Sequence, residues 1–147
     1  MRGVWFGSVL AALAGVVLGA QSADSLTVLN ANTALESELL TLPHLTPPLA
    51  AMIVARRPLK SVRDLEAILQ PLSRQQRGEL YARLFVPVNL NTATDAEILT
   101  IPGLGQRMLR EFKEYRPYKS MEQFRREIGK YVSKEEVARL ERYVTLN

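Results

Sequence analysis

The chain has 147 residues, with 19 Lys+Arg against 15 Asp+Glu, and its 47% hydrophobic and 23% charged content is that of a globular protein. It contains no cysteine, which excludes disulfides, thiol nucleophiles, Cys-ligated zinc and lipid attachment at a cysteine. The net charge of +4 divides evenly, with 7 basic against 5 acidic residues over 28–87 and 11 against 9 over 88–147, so charge alone does not point to a nucleic-acid partner.

At the N-terminus, Arg2 precedes an apolar run from Val4 to Ala20, followed by polar Gln21, Ser22 and Asp24. A basic start, an apolar stretch and a small-residue exit are the parts of a secretory signal. Cleavage could follow Ala20, Ser22 or Ala23, but the run is also just long enough for a retained anchor. Residues 1–23 are therefore read as a signal peptide or a membrane anchor. In both cases the folded part lies outside the cytoplasm, periplasmic, secreted or held at the outer face of the membrane.

The remainder is a duplication. Sliding the chain by 59 residues aligns Asn30-Ala31-Asn32-Thr33-Ala34 with Asn89-Leu90-Asn91-Thr92-Ala93, and the match runs on through Pro43/Pro102 to Ser61/Ser120. Over residues 30–61 there are 13 identities in 32 positions, and after a one-residue shift Ser73 falls opposite Ser133. The chain thus divides into a first module over 28–86 and a second over 88–147, joined at Val86-Pro87-Val88. A connection that short predicts a contiguous pair with limited mobility.

Each copy reads as four short helices. Capping-box spacing marks Ser61 with Asp64, Ser73 with Gln76, Thr94 with Glu97, Ser120 with Gln123 and Ser133 with Glu136. Leu35 replaces the cap at Thr94, so Thr33 with Glu36 is expected to start the first helix of copy one. Apolar residues recur with helical period at Met108, Phe112 and Tyr115, at Met121, Phe124 and Ile128, and at Val137, Leu140 and Val144. Pro58 and Pro117 end the second helix of each copy. No segment alternates with period two, so no sheet is predicted and the fold class is all-α.

The chemistry concentrates between the first two helices of copy two, in Pro102-Gly103-Leu104-Gly105-Gln106-Arg107. Gly103 and Gly105 permit backbone angles closed to other residues and place no side chain in the way, while Leu104 points inward. The amides of Gly105, Gln106 and Arg107 then face outward at a helix N-terminus, a ready site for phosphate. Arg107 and Arg110 lie on the first turn and Lys113 one turn further on, adding charge that reads no bases. In copy one the same positions are Pro43-His44-Leu45-Thr46, then Pro47 and Pro48. Side chains crowd the approach there, and two prolines remove two donors. His44, the one histidine, is expected as a surface imidazole. The second turns, Pro71-Leu72-Ser73 and Tyr131-Val132-Ser133, also lack the glycine pair. Arg56, Arg57 and Arg116 read as solvated charge, and Tyr115 and Tyr118 as packing residues. No carboxylates fall in a metal-binding or acid/base constellation, so no enzymatic activity and no cofactor is expected.

Val88-Asn89-Leu90-Asn91-Thr92-Ala93, Glu97-Ile98-Leu99 and Pro102-Gly103-Leu104-Gly105 resemble the helix-hairpin-helix domain of the ComEA competence family. The likeness is close over roughly 88–144 and looser over 29–85. It implies tandem helix-hairpin-helix modules, small helical bundles of the SAM-like kind. It also implies sequence-independent binding of double-stranded DNA outside the cytoplasm during uptake for transformation. Phosphate would be held by Pro102, Gly103, Leu104, Gly105, Gln106, Arg107, Arg110 and Lys113, with other uptake or envelope proteins as partners. The carbonyls of Ile101 and Leu104 are where some hairpins of this kind hold a monovalent cation. The glycine-poor first copy resembles instead an extrinsic lumenal photosystem subunit of the same fold, for which docking to other proteins is the alternative function.

Overall fold

A computed structural model describes residues 27–147, so the segment over 1–23 that is expected to be a signal peptide or membrane anchor lies outside the described residues. The described chain is mostly helical, and it folds as two successive units of one design. The first runs β1 (Leu29–Asn30), α1 (Glu36–Leu39), α2 (Pro47–Ala55), α3 (Val62–Ile68), α4 (Arg74–Tyr81) and β2 (Leu84–Phe85). The second repeats this as β3 (Val88–Asn89), α5 (Asp95–Ile98), α6 (Gln106–Glu114), α7 (Met121–Ile128), α8 (Lys134–Glu141) and β4 (Val144–Thr145). The extra residue of the second unit falls in α7, which has eight residues where α3 has seven.

The strands are a departure from the all-helical expectation. β1 pairs parallel with β2, and β3 with β4, so the two ends of each unit lie side by side. Each ladder has only two residues, flanked by bonds such as Ala31 N to the Phe85 carbonyl at 2.8 Å and Leu90 N to the Thr145 carbonyl at 2.9 Å. A parallel pair needs a long crossover, and here four helices supply it. Two residues are too few to print an alternating pattern in the sequence.

Side-chain caps start four of the eight described helices, though not always by the expected bonds. Thr94 with Glu97 and Ser73 with Gln76 form reciprocal boxes. At α1 the expectation fails, because Leu35 itself occupies the cap position and no Thr33–Glu36 box forms. The Glu38 carboxylate accepts from the Leu35 amide at 2.7 Å, so half of the box survives without a hydroxyl. Asp64 likewise accepts from the Lys60 and Ser61 amides while the Ser61 hydroxyl caps nothing. Ser120 and Ser133 each cap their helix, but Gln123 turns to the Lys119 amide and Glu136 to Arg139. α2 ends at Ala55 and α6 at Glu114, just before the two Arg-Pro bonds.

Each unit has its own core. Leu39, Ile53, Leu65, Ile68, Leu80 and Leu84 are central to the first, and Ile98, Phe112, Phe124, Ile128 and Leu140 to the second. Val86 closes one core and Val88 the other, with Pro87 between them. Across the junction the rings of Phe85 and Tyr143 lie 4.6 Å apart. Tyr118 is buried against Phe124, and Tyr115 is half-buried with its hydroxyl 2.8 Å from that of Tyr131. Neither ring is presented to a ligand.

The most repeated residues do structural work. Asn91 accepts from the Tyr118 amide at 2.7 Å and donates to its carbonyl at 3.0 Å, and Asn32 does the same with Leu59 at 2.7 and 2.9 Å. Arg116 donates to the Leu90 and Ala93 carbonyls at 2.6 and 2.9 Å, and Arg57 to those of Ala31 and Ala34. These two arginines are not the solvated charges that their sequence positions suggest; their part-buried guanidiniums tie the opening loop to the end of the second helix. Arg116→Ala leaves two carbonyls without a charged donor and is expected to cost about 2–3 kcal/mol. Urea denaturation should show a lower midpoint at unchanged slope, whereas Arg110→Ala, on an exposed face, should stay within about 0.5 kcal/mol of the parent.

Candidate nucleic-acid interface

α5 is one short helical turn, after which Ile101 enters the core and the chain reverses at Pro102 and Gly103. Gly103 has φ +75°, the left-handed conformation that glycine adopts without penalty. The Leu104 amide donates back to the Ile101 carbonyl at 3.1 Å, and the Leu104 side chain is buried, anchoring the turn. Gly105 then caps α6 in extended geometry, φ −100° and ψ 176°. Any residue adopts those angles, and a methyl group built on Gly105 would meet nothing within 4 Å. Of the two, only Gly103 has a backbone angle that favours glycine; what the second glycine provides is open space in front of the helix.

That opening is where α6 is unfinished. No side chain caps it, and the amides of Gly105, Gln106 and Arg107 donate to no group among the described residues. The other helices of the second unit are each capped by a Ser or Thr oxygen. Free amides and the aligned peptide dipoles together give the start of α6 a partial positive charge of about +0.5. Arg107 and Arg110 are exposed on this first turn and make no ion pair or side-chain hydrogen bond with any described residue. Pro102, Gly103, Gly105 and Gln106 are exposed around them. Leu104 contributes the shape of the turn rather than a contact. Lys113 is tied to Asp95, Nζ to Oδ1 at 2.6 Å, so its charge is already partly answered by an exposed carboxylate.

The first unit builds the same turn from different residues. His44 takes the left-handed position with φ +64°, Leu45 is buried, and Thr46 precedes α2 in extended geometry. The backbone shape therefore survives the loss of both glycines, and the difference between the units lies in what the turn exposes. Pro47 and Pro48 stand where Gln106 and Arg107 offer amides. The His44 ring lies at the surface of the loop, as expected, with a partner the sequence did not reveal: Nε2 lies 2.6 Å from Glu79 Oε2, and this hydrogen bond holds the Glu79 carboxyl below its ordinary range. A carboxylate thus stands beside the turn of the first unit.

The second turns of both units are closed in another way. The Leu72 amide bonds the Leu69 carbonyl and the Tyr131 amide the Ile128 carbonyl, both at 3.0 Å, and Ser73 and Ser133 cap the helices that follow. A serine hydroxyl that accepts from the third helical amide therefore stands in front of each of these helices, where α6 has none.

Sequence reasoning missed Arg139. It sits on α8, yet a methyl group built on Gly103 would lie 3.6 Å from its Nη2. Glu136 holds the guanidinium through bonds of 2.7 Å to Nε and Nη2, which raises the pKa of Arg139 and lowers that of Glu136. The only signal in the sequence was the charge reversal between Glu79 and Arg139, each six residues after the cap of its last helix. Among the described residues, no three His, Cys, Asp or Glu side chains gather to hold a metal ion, and no helix is long and apolar enough to cross a membrane.

No family model, characterised protein or solved structure shows significant similarity to this chain.

Proposed function

We propose that the chain is an exported, non-catalytic protein of two helix-hairpin-helix modules, and that its second module holds double-stranded DNA by the phosphate backbone. The observation that carries this reading is the open start of α6, where three amides without acceptors face outward beside Arg107 and Arg110. Phosphate suits such a site because it brings several acceptor oxygens and full negative charge to a point where donors have no partner. Contacts of this kind read no base edges, so the binding is indifferent to sequence. The resemblance to the ComEA family supports a role in capturing incoming duplex outside the cytoplasmic membrane. In that setting the N-terminal segment acts as signal or anchor, and other uptake or envelope proteins are the partners.

The first module acts as scaffold or partner surface. Leu35, Leu40 and Met52, 65%, 41% and 39% exposed, all belong to it, and its turn offers a carboxylate where the second offers free donors. This favours docking for that module while leaving DNA to the other.

Fluorescence anisotropy with two unrelated 20-base-pair duplexes tests the reading. Both should bind equally, with an affinity that falls steeply between about 50 and 200 mM salt, as expected for a few phosphate contacts. Absence of binding at the lowest salt, or preference for one duplex, would contradict it.

A further inference from the structure

In each unit, the residue six places after the cap of the last helix meets the tip of the first turn. In the first unit it is Glu79, whose carboxylate bonds the ring of His44. In the second it is Arg139, whose Nη2 lies beside the left-handed Gly103. The two turns share one backbone shape, so a side chain of opposite sign occupies equivalent ground in the two copies.

We propose that Arg139 is a further phosphate-contacting residue, delivered by α8 to the turn before α6, and that this position decides which module accepts a polyanion. The inference rests on the DNA-binding reading of that turn and adds to it a ligand group from outside the turn. Arg139 is oriented rather than loose: Glu136 grips its Nε and Nη2, and its Cζ lies 5.9 Å from the centre of the Tyr143 ring. A guanidinium carries five N–H donors in a rigid fork, and Glu136 engages one edge of it. Nη1 has no partner among the described residues. The pair with Glu136 is about one-third exposed, so water already weakens it and a phosphate can compete for the same cation.

Glu136 carries a second trace of this arrangement. In the first unit the corresponding Gln76 closes a reciprocal cap by accepting from the Ser73 amide at 2.9 Å. Glu136 occupies that position but gives both oxygens to Arg139 instead. One half of a cap is given up, and an oriented cation beside Gly103 takes its place.

The test uses the full chain and a 20-base-pair duplex, with affinity measured across a salt series and folding followed by thermal unfolding. Arg139→Gln, Arg139→Lys and Arg63→Gln are compared with the parent. Arg63→Gln removes the same charge from an exposed site on α3 of the first unit. We expect Arg139→Gln to weaken binding about tenfold and to lower the salt slope by about one, Arg139→Lys to recover most of the loss, and Arg63→Gln to change affinity less than about twofold. If the parent binds and Arg139→Gln merely matches Arg63→Gln, the inference is overturned while the DNA reading stands. If Arg139→Gln loses affinity only together with its thermal transition, the residue is structural and the inference is equally overturned. A parent that does not bind at low salt overturns the DNA reading itself.

Discussion

Gly105→Asp is expected to reduce duplex-DNA binding more than tenfold while leaving the second module folded and no less stable. The substitution separates binding from folding because Gly105 has ordinary extended angles and open space around it. An aspartate there meets no clash. It also occupies the cap position, where its carboxylate can accept from the amides at the start of α6, a bond worth about a few tenths of a kcal/mol relative to glycine. The same carboxylate then fills the place proposed for phosphate, takes up its donors and repels its charge. Anisotropy and thermal unfolding on one preparation check both halves. Undiminished binding would show that DNA, if bound, is held elsewhere. The equivalent change in the first module, Thr46→Asp, replaces one capping type by another in front of two prolines and should leave DNA binding nearly unchanged.

The largest effect on stability is expected from Phe124→Ala. Phe124 is fully buried and stands edge-on to Phe112, with ring centres 5.5 Å apart, and 6.0 Å from the ring of Tyr118. Three aromatic rings therefore share one contact region in a module of only some 60 residues, which cannot collapse onto the space left behind. Removing the ring should cost about 3–5 kcal/mol, a large share of the stability of a small domain. Calorimetry should show the transition of the second module lowered by roughly 15 °C or more. Because the two cores share no residue, the first module should lose much less. A cost below about 1 kcal/mol would mean that the aromatic cluster is not the centre of this core.

Much of the helical architecture was legible in the sequence because its signals are local. Hydroxyl residues three places before Glu or Gln marked helix starts, the two Arg-Pro pairs marked helix ends, and the 59-residue offset showed that whatever folds once folds twice. The strands escaped notice because two residues carry no period. α1 starts two residues later than the expected Thr33 cap, with Glu38 accepting from the Leu35 amide in place of a capping hydroxyl. At the candidate site, the exposure of Gly103, Gly105, Gln106 and Arg107 around a buried Leu104 followed from chain order, but two features did not. Gly105 was expected to serve both backbone geometry and access, and only access remains, because its angles are ordinary extended ones. Arg116, repeated as Arg57 in the first copy, was expected as solvated charge, and its carbonyl partners across the unit, like those of Asn91, are invisible to local reading. Arg139 belongs with these, since only the folded chain brings α8 to the turn before α6.

The turn before α6, and not the turn before α2, is the one expected to touch DNA. Amide NMR spectra recorded while a short duplex is added at low salt address this directly. The expected result is salt-reversible movement of the Gly103, Gly105, Gln106 and Arg107 amides, with those of His44, Leu45, Thr46 and Leu49 in the first module unchanged. Movement centred on the first module's turn, or on neither turn, would contradict it.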